Sequence, residues 1–376
     1  MKIDSVDSKV IGAAHYVRLI TDTGLVGYGQ SGVWAYPEAV HAVVERFADY
    51  LVGRDPRLIE HHWHHLYRMG PFRGAILTAA VSAIDIALWD IAGKRLQAPI
   101  YELLGGPTRT KLRLHLLLTG GPIEDTLAHA TKAVKDGFTA VKFDPIPRDC
   151  QDLSLASLVQ ESVSRTAAMR DVVGTDVDMI LELHRKLTPL QAKPLMEALT
   201  PFRPLFIEDP LQIDNLSAQA GIAASSNGPV GVGERLHTIW EFNDILRLGG
   251  PQYVRPDLGT AGGISHVKKI AAVAEAHSST LVTHNCLGPI LTAAAAHVDA
   301  SIPNFLVQEY SPFDDDLASS PGLRTHFRRE GGWLHLSEEP GLGVDVDWDN
   351  IPSVDFVGRT LHEIPLRDDG SVSFAV

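Results

Sequence analysis

Three glutamates follow short apolar segments at a constant spacing. Glu182, Glu208 and Glu234 end the segments "DMILE", "PLFIE" and "VGVGE", each 26 residues after the one before. If the segments are successive strands of a parallel barrel, their carboxyl ends converge at one mouth. Unpaired carboxylates crowded there repel and raise one another's pKa, and a hard divalent cation that prefers oxygen ligands relieves this repulsion. The spacing therefore predicts a Mg²⁺ site, although a single Glu after a strand is more often a solvated loop residue.

A histidine lies two residues beyond the first of these acids, in "MILELH". Side chains alternate across a strand, so Glu182 and His184 are predicted to share one face, opposite Leu181 and Leu183. A metal ligand and a potential acid or base would then face the same space. The alternative is a structural histidine bonded to a backbone carbonyl.

The elements that must position these residues recur from about residue 112 to 310. Eight short apolar segments alternate with amphipathic helical patterns such as "DTLAHATKAVKDG", which favours a parallel (β/α)8 barrel. The alternation alone also permits an open doubly wound sheet. No G-x-G-x-x-G follows a strand, which argues against a dinucleotide site. Residues before about 110 start with alternating segments and continue with helical patterns, and the tail returns to turns and short strands.

Composition narrows the classes of partner. The chain has 376 residues, 45% hydrophobic and 21% charged, with a net charge of −13. This balance disfavours nucleic acid and anionic membranes as partners, and it still permits an acidic small molecule where a metal or cation neutralises it. Cys150 and Cys286 form no CxxC motif, and no signal peptide is evident, so we expect a soluble protein of the cytoplasm.

Motifs across nearly the whole chain resemble those of one family. "SAIDIALWDIAGKRLQAPIYELLGG", "FIEDP", "GVGERL", "RPDLGTAGGIS", "THNCLGP" and "EPGLGVDVD" are similar, in order, to motifs of the enolase superfamily, mandelate racemase-like branch. The resemblance implies a modified (β/α)8 TIM-type barrel with an α+β capping domain. It places the capping domain at residues 1–110, the barrel at 111–328 and a segment returning to the capping domain at 329–376.

Within that branch, the pattern is most similar to sugar-acid dehydratases of the galactonate type. The resemblance implies that Glu182, Glu208 and Glu234 hold Mg²⁺, although the first ligand is commonly Asp. It pairs His284 with Asp257 and places Glu309 at the end of the eighth strand.

The branch's racemases and cycloisomerases carry Lys-x-Lys after the second strand. Here Lys142 is present but Asp144 replaces the second, catalytic Lys. This departure argues against a lysine base and leaves Asp144, like Lys142, a candidate for substrate binding. Lys142 is expected either to bind the substrate carboxylate or to pair with Asp144 or a metal-bound Glu.

These residues suggest a mechanism. His284, oriented by Asp257, removes the proton α to a carboxylate to give an enediolate, and His184 protonates the departing 3-hydroxyl, giving a 2-keto-3-deoxy acid. Glu309 is expected to hydrogen-bond a substrate oxygen. The alternatives are a racemase or epimerase of an α-hydroxy acid that uses both histidines, and a non-catalytic barrel.

Two features outside the barrel complete the expectations. In this family an N-terminal loop closes the barrel mouth, so Trp34, Tyr36 and Arg73 are candidates for the distal substrate pocket, against ordinary surface packing. His61 and His65 in "EHHWHHLYR" lie one helical turn apart, but no third metal ligand is evident and a solvated helix is favoured. Relatives commonly form symmetric oligomers, so a homo-oligomer, from dimer to octamer, is expected.

Overall fold

An antiparallel sheet begins the fold. We describe the protein from a computed structural model that covers residues 1–118, 121–314, 322–351, 355 and 366–372. Strands β1 (Ile3–Ile11), β2 (Ala14–Thr21) and β3 (Val26–Ser31) form a three-stranded meander. Four helices follow: α1 (Pro37–Leu51), α2 (Ile59–Arg68), α3 (Ala75–Leu96) and α4 (Ile100–Leu103). Helix α3 packs directly on β3.

Glycines in β3 permit this close packing. A Cβ on Gly27 would lie 2.2 Å from the carbonyl oxygen of Ala87, and one on Gly29 would lie 1.9 Å from that of Ala83. Both distances are far below van der Waals contact, so a larger residue would push α3 off the sheet. Helix α3 is also the one helix in the described part of the chain that is long and apolar enough to span a membrane. Its most apolar window is 72% buried inside the protein, as in the core helix of a soluble protein.

Eight parallel strands form the second unit, and this confirms the predicted fold class. They are β4 (Lys111–Leu117), β5 (Ala140–Phe143), β6 (Asp178–Glu182), β7 (Phe206–Glu208), β8 (Val230–Val232), β9 (Tyr253–Val254), β10 (Thr280–Leu281) and β11 (Gln308–Tyr310). Each strand from β4 to β9 pairs with the next strand in chain order, and β11 pairs with β4. A parallel bridge between Leu281 and Phe305 joins β10 to the segment that enters β11 and so closes the ring.

Helices connect these strands on the outside. They are α5 (Ile123–Lys135), α6 (Leu155–Val173), α7 (Pro189–Leu199), α8 (Leu216–Ser225), α9 (Ile239–Arg247), α10 (Gly263–Ala276) and α11 (Pro289–Ala300), with short 3-10 turns at Thr200–Phe202 and Pro312–Asp314. One large core joins strands and helices, and a separate apolar cluster includes Ile180 and Phe206. These two residues precede Glu182 and Glu208 by two positions and therefore lie on the same strand faces. Apolar packing thus supports the carboxylates from within the barrel.

The C-terminal segment contacts both units. Its strands are β12 (Leu323–Thr325), β13 (Arg328–Glu330), β14 (Trp333–His335) and β15 (Val344–Val346), and β14 pairs antiparallel with β4. Beyond β14, the Leu342 amide donates to Asp90 Oδ1 at 2.9 Å, and the Ile100 amide donates to the Gly341 carbonyl at 3.3 Å. These contacts fasten the tail to the N-terminal helices. The exact domain boundaries stay a prediction.

The N-terminal unit is fixed to the barrel at the start of α10. Ser82 Oγ on α3 accepts the Gly262 amide at 2.8 Å, and Asp85 Oδ2 accepts the Ser265 amide at 3.0 Å. Trp63 Nε1 on α2 donates to the Gly262 carbonyl at 2.8 Å. Side chains of α3 thus satisfy amides that a helix start leaves unpaired, and Trp63 of α2 adds a further bond between the N-terminal unit and the barrel.

A buried acid in α11 gives the fold a pH dependence that can be measured. Asp299 accepts a hydrogen bond from Thr283 Oγ1 at 2.7 Å, and burial raises its pKa to about 8. The carboxyl group of an aspartate in an unfolded chain has a pKa of about 3.9. The folded protein therefore keeps the Asp299 proton up to a higher pH than the unfolded chain does. The contribution of Asp299 to the free energy of unfolding is fully present below about pH 4 and is lost as the pH rises toward about 8.

We therefore expect Asp299→Asn, which imitates the protonated acid, to flatten the fall in melting temperature between pH 5 and pH 8 by a few degrees. Calorimetric scans at matched rates measure this. The exposed Asp214→Asn is the control and should follow the wild type. A parallel pH profile for wild type and Asp299→Asn would contradict the assignment.

Candidate active site

The three spaced glutamates come together at one mouth of the barrel. Glu182 and Glu208 are the last residues of β6 and β7, and Glu234 lies two residues after β8. Each contributes a carboxylate oxygen to a group whose members all lie within 4.8 Å of one another. All three side chains are buried. This arrangement of oxygen donors could hold a hard divalent cation.

Two buried cations lie beneath the carboxylates. Lys142 Nζ, on β5, is 3.3 Å from both Glu182 Oε2 and Glu208 Oε2, and 2.6 Å from Glu309 Oε1. The guanidinium of Arg255, which is fully buried, pairs with both Glu208 and Glu309. Lys142 therefore contacts the glutamates and not Asp144, which matches one of the two expectations from the sequence.

The pKa values of Glu208 and Glu234 are shifted in opposite directions. Burial raises the pKa of Glu208 well above its usual value, and Glu182 adds to the rise while Arg255 opposes it. Burial also acts to raise the pKa of Glu234, but His284 and Arg185 hold it well below its usual value. A buried carboxylate that resists ionisation beside two others is what a bound divalent cation would stabilise as an anion. The donor set therefore fits a metal ion.

A histidine and an aspartate from neighbouring strands form a dyad beside this cluster. Asp257 and His284 follow β9 and β10 and face each other across a parallel bridge. His284 Nδ1 lies 2.7 Å from Asp257 Oδ2, and His284 Nε2 lies 3.3 Å from Glu234 Oε2. Burial acts to lower the pKa of His284, but Glu234 and Glu309 raise it well above its usual value. The dyad thus presents Nε2 to the carboxylate cluster.

The N-terminal loop touches this dyad. The amide of Gly259 donates to Asp257 Oδ1 at 2.6 Å, and a Cβ on Gly32 would lie 2.6 Å from the same oxygen. The Gly32 amide donates to the Gly259 carbonyl at 2.8 Å. Residue 32 therefore needs to be glycine for the loop to lie this close to Asp257.

His184 reaches the site by a route that strand alternation does not describe. Strand β6 ends at Glu182, and His184 has a φ of 50°, in the left-handed region. The alternation argument for a shared face is therefore wrong at this residue, because the pleat stops two residues earlier. The His184 amide donates to Glu182 Oε1 at 2.8 Å, and its Nδ1 lies 2.9 Å from Asp144 Oδ2. The turn itself keeps His184 beside the glutamate cluster.

Glu309 is fully buried on β11. Its carboxylate contacts Lys142 and Arg255 and accepts the Asn285 amide at 3.2 Å, while His284 Nε2 is 4.0 Å away. Burial acts to raise its pKa, but Lys142 and Arg255 lower it far below the usual value. Glu309 is therefore held as a carboxylate that accepts hydrogen bonds.

The three candidates for a distal pocket lie in different surroundings. Trp34 is partly buried, and the guanidinium of Arg235 lies 6.0 Å from its ring centroid. Tyr36 is exposed at the start of α1. Arg73 is exposed and lies over the Tyr67 ring at 4.5 Å. The structure thus brings Trp34 toward the mouth through Arg235, which adjoins Glu234, and gives Tyr36 and Arg73 no such contact among the described residues.

Sequence reasoning missed several charged residues around the cluster. Arg255 is the one basic residue in the segment "YVRPD", where it follows two apolar strand residues, a signal that could have been interpreted as a buried ion pair. Arg185 pairs with Asp209 and donates to Glu234 Oε1 at 2.8 Å, and Arg235 lies 3.3 Å from the same oxygen. Lys186 donates to Asp144 Oδ2 at 2.6 Å. Arg185 and Lys186 follow His184 in a turn, where no periodicity indicates direction.

Comparison with known proteins decides the family. Residues 7–105 match the mandelate racemase / muconate lactonizing enzyme N-terminal domain, and residues 125–350 match the enolase C-terminal domain-like family. The chain belongs to the enolase superfamily, in its mandelate racemase-like branch. The resemblance inferred from the motifs is thereby confirmed.

Individual relatives of this enolase-superfamily chain cover most of its length. A D-galactonate dehydratase of Ralstonia nicotianae is 38% identical over 341 residues, 88% of each chain. A D-galactonate dehydratase of Klebsiella pneumoniae is 36% identical over 345 residues, 89% of each chain. The crystal structure of an Agrobacterium radiobacter enolase, described as a suggested galactarate dehydratase and bound to sodium and L-malate, superposes with a TM-score of 0.91 at 28% identity over 100% of both chains.

Proposed function

We propose that this chain is a hydro-lyase that dehydrates a sugar acid to a 2-keto-3-deoxy acid. The observation that carries the proposal is the arrangement of two histidines, each bonded to an aspartate, beside three clustered glutamates. A dehydration needs one group to remove the C2 proton and another to protonate the leaving 3-hydroxyl. The relatives named D-galactonate dehydratases support this reaction class.

Glu182, Glu208 and Glu234 would hold Mg²⁺ in this proposal. The ion would supply positive charge where the substrate carboxylate gathers negative charge. Lys142 and Arg255 hold Glu208 from below, so its position is fixed by protein contacts. Glu182, in place of the shorter aspartate common in the family, is additionally oriented by the His184 amide.

His284 is the proposed base. Its Nδ1–H donates to Asp257 Oδ2. A cation held by Glu234 would offset the negative charge that raises the pKa of His284, so that Nε2 could give up its proton and then take the proton from C2 of the substrate. The electron pair of that C–H bond moves toward C1. Asp257 is fixed by the Gly259 amide, so the imidazole is held in one orientation.

His184 is the proposed acid. It gives a proton to the 3-hydroxyl as the C3–O bond breaks, water leaves, and the resulting enol takes up a proton at C3 to become the 2-keto product. Glu309, whose two carboxylate oxygens both pair with protein groups, is proposed to fix Lys142 and Arg255 in place rather than to bind the substrate directly. Trp34 borders the distal end of the substrate together with Arg235, and Tyr36 and Arg73 contribute to that end on closure of the loop.

The reaction class can be tested directly. Purified protein with Mg²⁺ and a panel of aldonic and aldaric acids should give 2-keto products that semicarbazide traps, and chelation should stop their formation. The competing racemase or epimerase would exchange the C2 proton with D₂O without any keto product, which NMR detects. Metal binding with neither product nor exchange across the panel would contradict both enzyme assignments.

The cytoplasmic location and the homo-oligomeric state stay part of the proposal. An acidic protein whose most apolar helix is buried is suited to bulk solvent, and small acid substrates are its expected partners.

A further inference from the structure

Asp144 lies just after β5 with both carboxylate oxygens occupied by protein donors. Oδ1 accepts the Ile146 amide at 2.8 Å. Oδ2 receives Lys186 Nζ at 2.6 Å and lies 2.9 Å from His184 Nδ1. A carboxylate engaged in this way is a poor ligand for a substrate hydroxyl, which argues against the substrate-binding role inferred from the sequence.

These contacts also determine that the Asp144 carboxylate is ionised and that His184 is the donor in the hydrogen bond between them. Burial acts to raise the pKa of Asp144, but His184 and Lys186 lower it below its usual value. An ionised carboxylate only accepts hydrogen bonds, so the proton of the shared bond lies on His184 Nδ1. No hydrogen bond to His184 Nε2 is found within the described residues, and the ring is partly exposed at the mouth.

We propose that Asp144 is a positioning residue for His184: it accepts the Nδ1–H hydrogen bond and orients the ring so that the second ring proton, on Nε2 of the imidazolium, faces the substrate 3-hydroxyl. This inference rests on the proposed dehydration and adds a residue to it. The position that carries a catalytic lysine in the branch's racemases would then serve the elimination step through His184. The arrangement parallels Asp257 and His284 across the cluster, so each histidine has its own aspartate.

The proposal separates the two halves of the reaction. Proton removal at C2 belongs to His284, and loss of the 3-hydroxyl belongs to His184. Asp144→Asn places an amide NH₂ group against Nδ1, so the Nδ1–H hydrogen bond that orients the ring is lost. We expect dehydration to fall by about 10²-fold or more. Exchange of the C2 proton in D₂O should stay within about threefold of the wild type, since changes at a separate group need not couple to it.

A double-mutant cycle distinguishes positioning from direct contact. Dehydration rates are measured for Asp144→Asn, His184→Asn and the double variant, with Asp136→Asn as control because Asp136 also pairs with a lysine, Lys132, but lies on a surface helix end. If Asp144 acts through His184, Asp144→Asn adds less than about twofold in the His184→Asn background. The proposal would be overturned if Asp144→Asn lowered the dehydration rate by the same factor in the wild-type and His184→Asn backgrounds. It would also be overturned if Asp144→Asn alone left the dehydration rate unchanged.

A second readout does not depend on turnover. Nitrogen-15 NMR of histidine-labelled protein should show a hydrogen-bonded Nδ1–H for His184 in the wild type and loss of that Nδ1–H signature in Asp144→Asn. Retained Mg²⁺-induced thermal stabilisation shows that the glutamate cluster is intact. If Asp144→Asn does not fold, Lys186→Met, which leaves Asp144 in place, enters the same cycle and should also be non-additive with His184→Asn.

The two failures are distinguishable. A wild type that neither dehydrates nor exchanges any acid contradicts the proposed function, whatever the NMR shows. If the wild type dehydrates an acid and the Asp144→Asn variant still shows the Nδ1–H signal of His184, only the role of Asp144 is contradicted.

Discussion

Glu208→Gln is expected to lower Mg²⁺ affinity by at least about 10²-fold, because changes outside the ligand shell already cost 10- to 100-fold. Glutamine keeps the size of the side chain but removes the anion at the centre of the cluster, and it leaves Arg255 and Lys142 with one fewer buried partner. Dehydration should fall at least in proportion. Calorimetric titration with Mg²⁺, with the metal-induced shift in melting temperature as a second measure, tests this.

The control for this variant is Glu197→Gln, an exposed glutamate on α7. It makes the same chemical change away from the mouth and should leave both metal affinity and turnover unaltered. Retention of wild-type Mg²⁺ affinity by folded Glu208→Gln would remove the three-glutamate site from the proposal. Loss of folding would be read from circular dichroism before any titration is interpreted.

His284→Asn should remove C2 proton exchange and dehydration together, each by about 10⁴-fold, the upper range for loss of a general base. The asparagine amide can still donate to Asp257 but has no basic nitrogen to accept the substrate proton. Mg²⁺ affinity should stay within a few-fold of the wild type, since His284 is not among the three clustered ligands. Single-turnover measurements of exchange by NMR and of 2-keto product provide the numbers.

Two further variants sharpen this expectation. His277→Asn, an exposed histidine after α10, is the matched control and should behave as the wild type. Asp257→Asn keeps the imidazole but favours the wrong tautomer, so both activities should fall together by about 10²- to 10⁴-fold. Exchange that survives in His284→Asn at the wild-type rate would instead assign the base to another group.

Much of the site was predictable because it follows regular elements. The even 26-residue spacing of the glutamates carried the information that each ends one strand of a repeating unit, and parallel strands place such ends together. The alternation of strands and helices was predictable because their periodicities are local properties, whereas the choice of a (β/α)8 barrel over an open sheet came from the family resemblance. The roles of the individual residues stay predictions that the variants above test.

The directions of the side chains in the turn after β6 could not be predicted from the sequence. Periodicity fixes a side chain's direction only while φ and ψ repeat, and residues 184 and 185 both have positive φ. The bond from His184 to Asp144 is therefore a property of the folded turn, and so is the approach of Lys186 to the same carboxylate.

The sequence by itself predicted the strands and helices and the three acids at the strand ends, because backbone geometry converts residue spacing into position, and the family resemblance assigned the two histidines to the site. Only the tertiary structure decided which charges pair. Arg255 and Lys142 come from different strands than the glutamates that they hold, and Asp144, after one strand, meets His184, after the next. Pairing of this kind depends on distances through space, and burial then sets the strength of each charge.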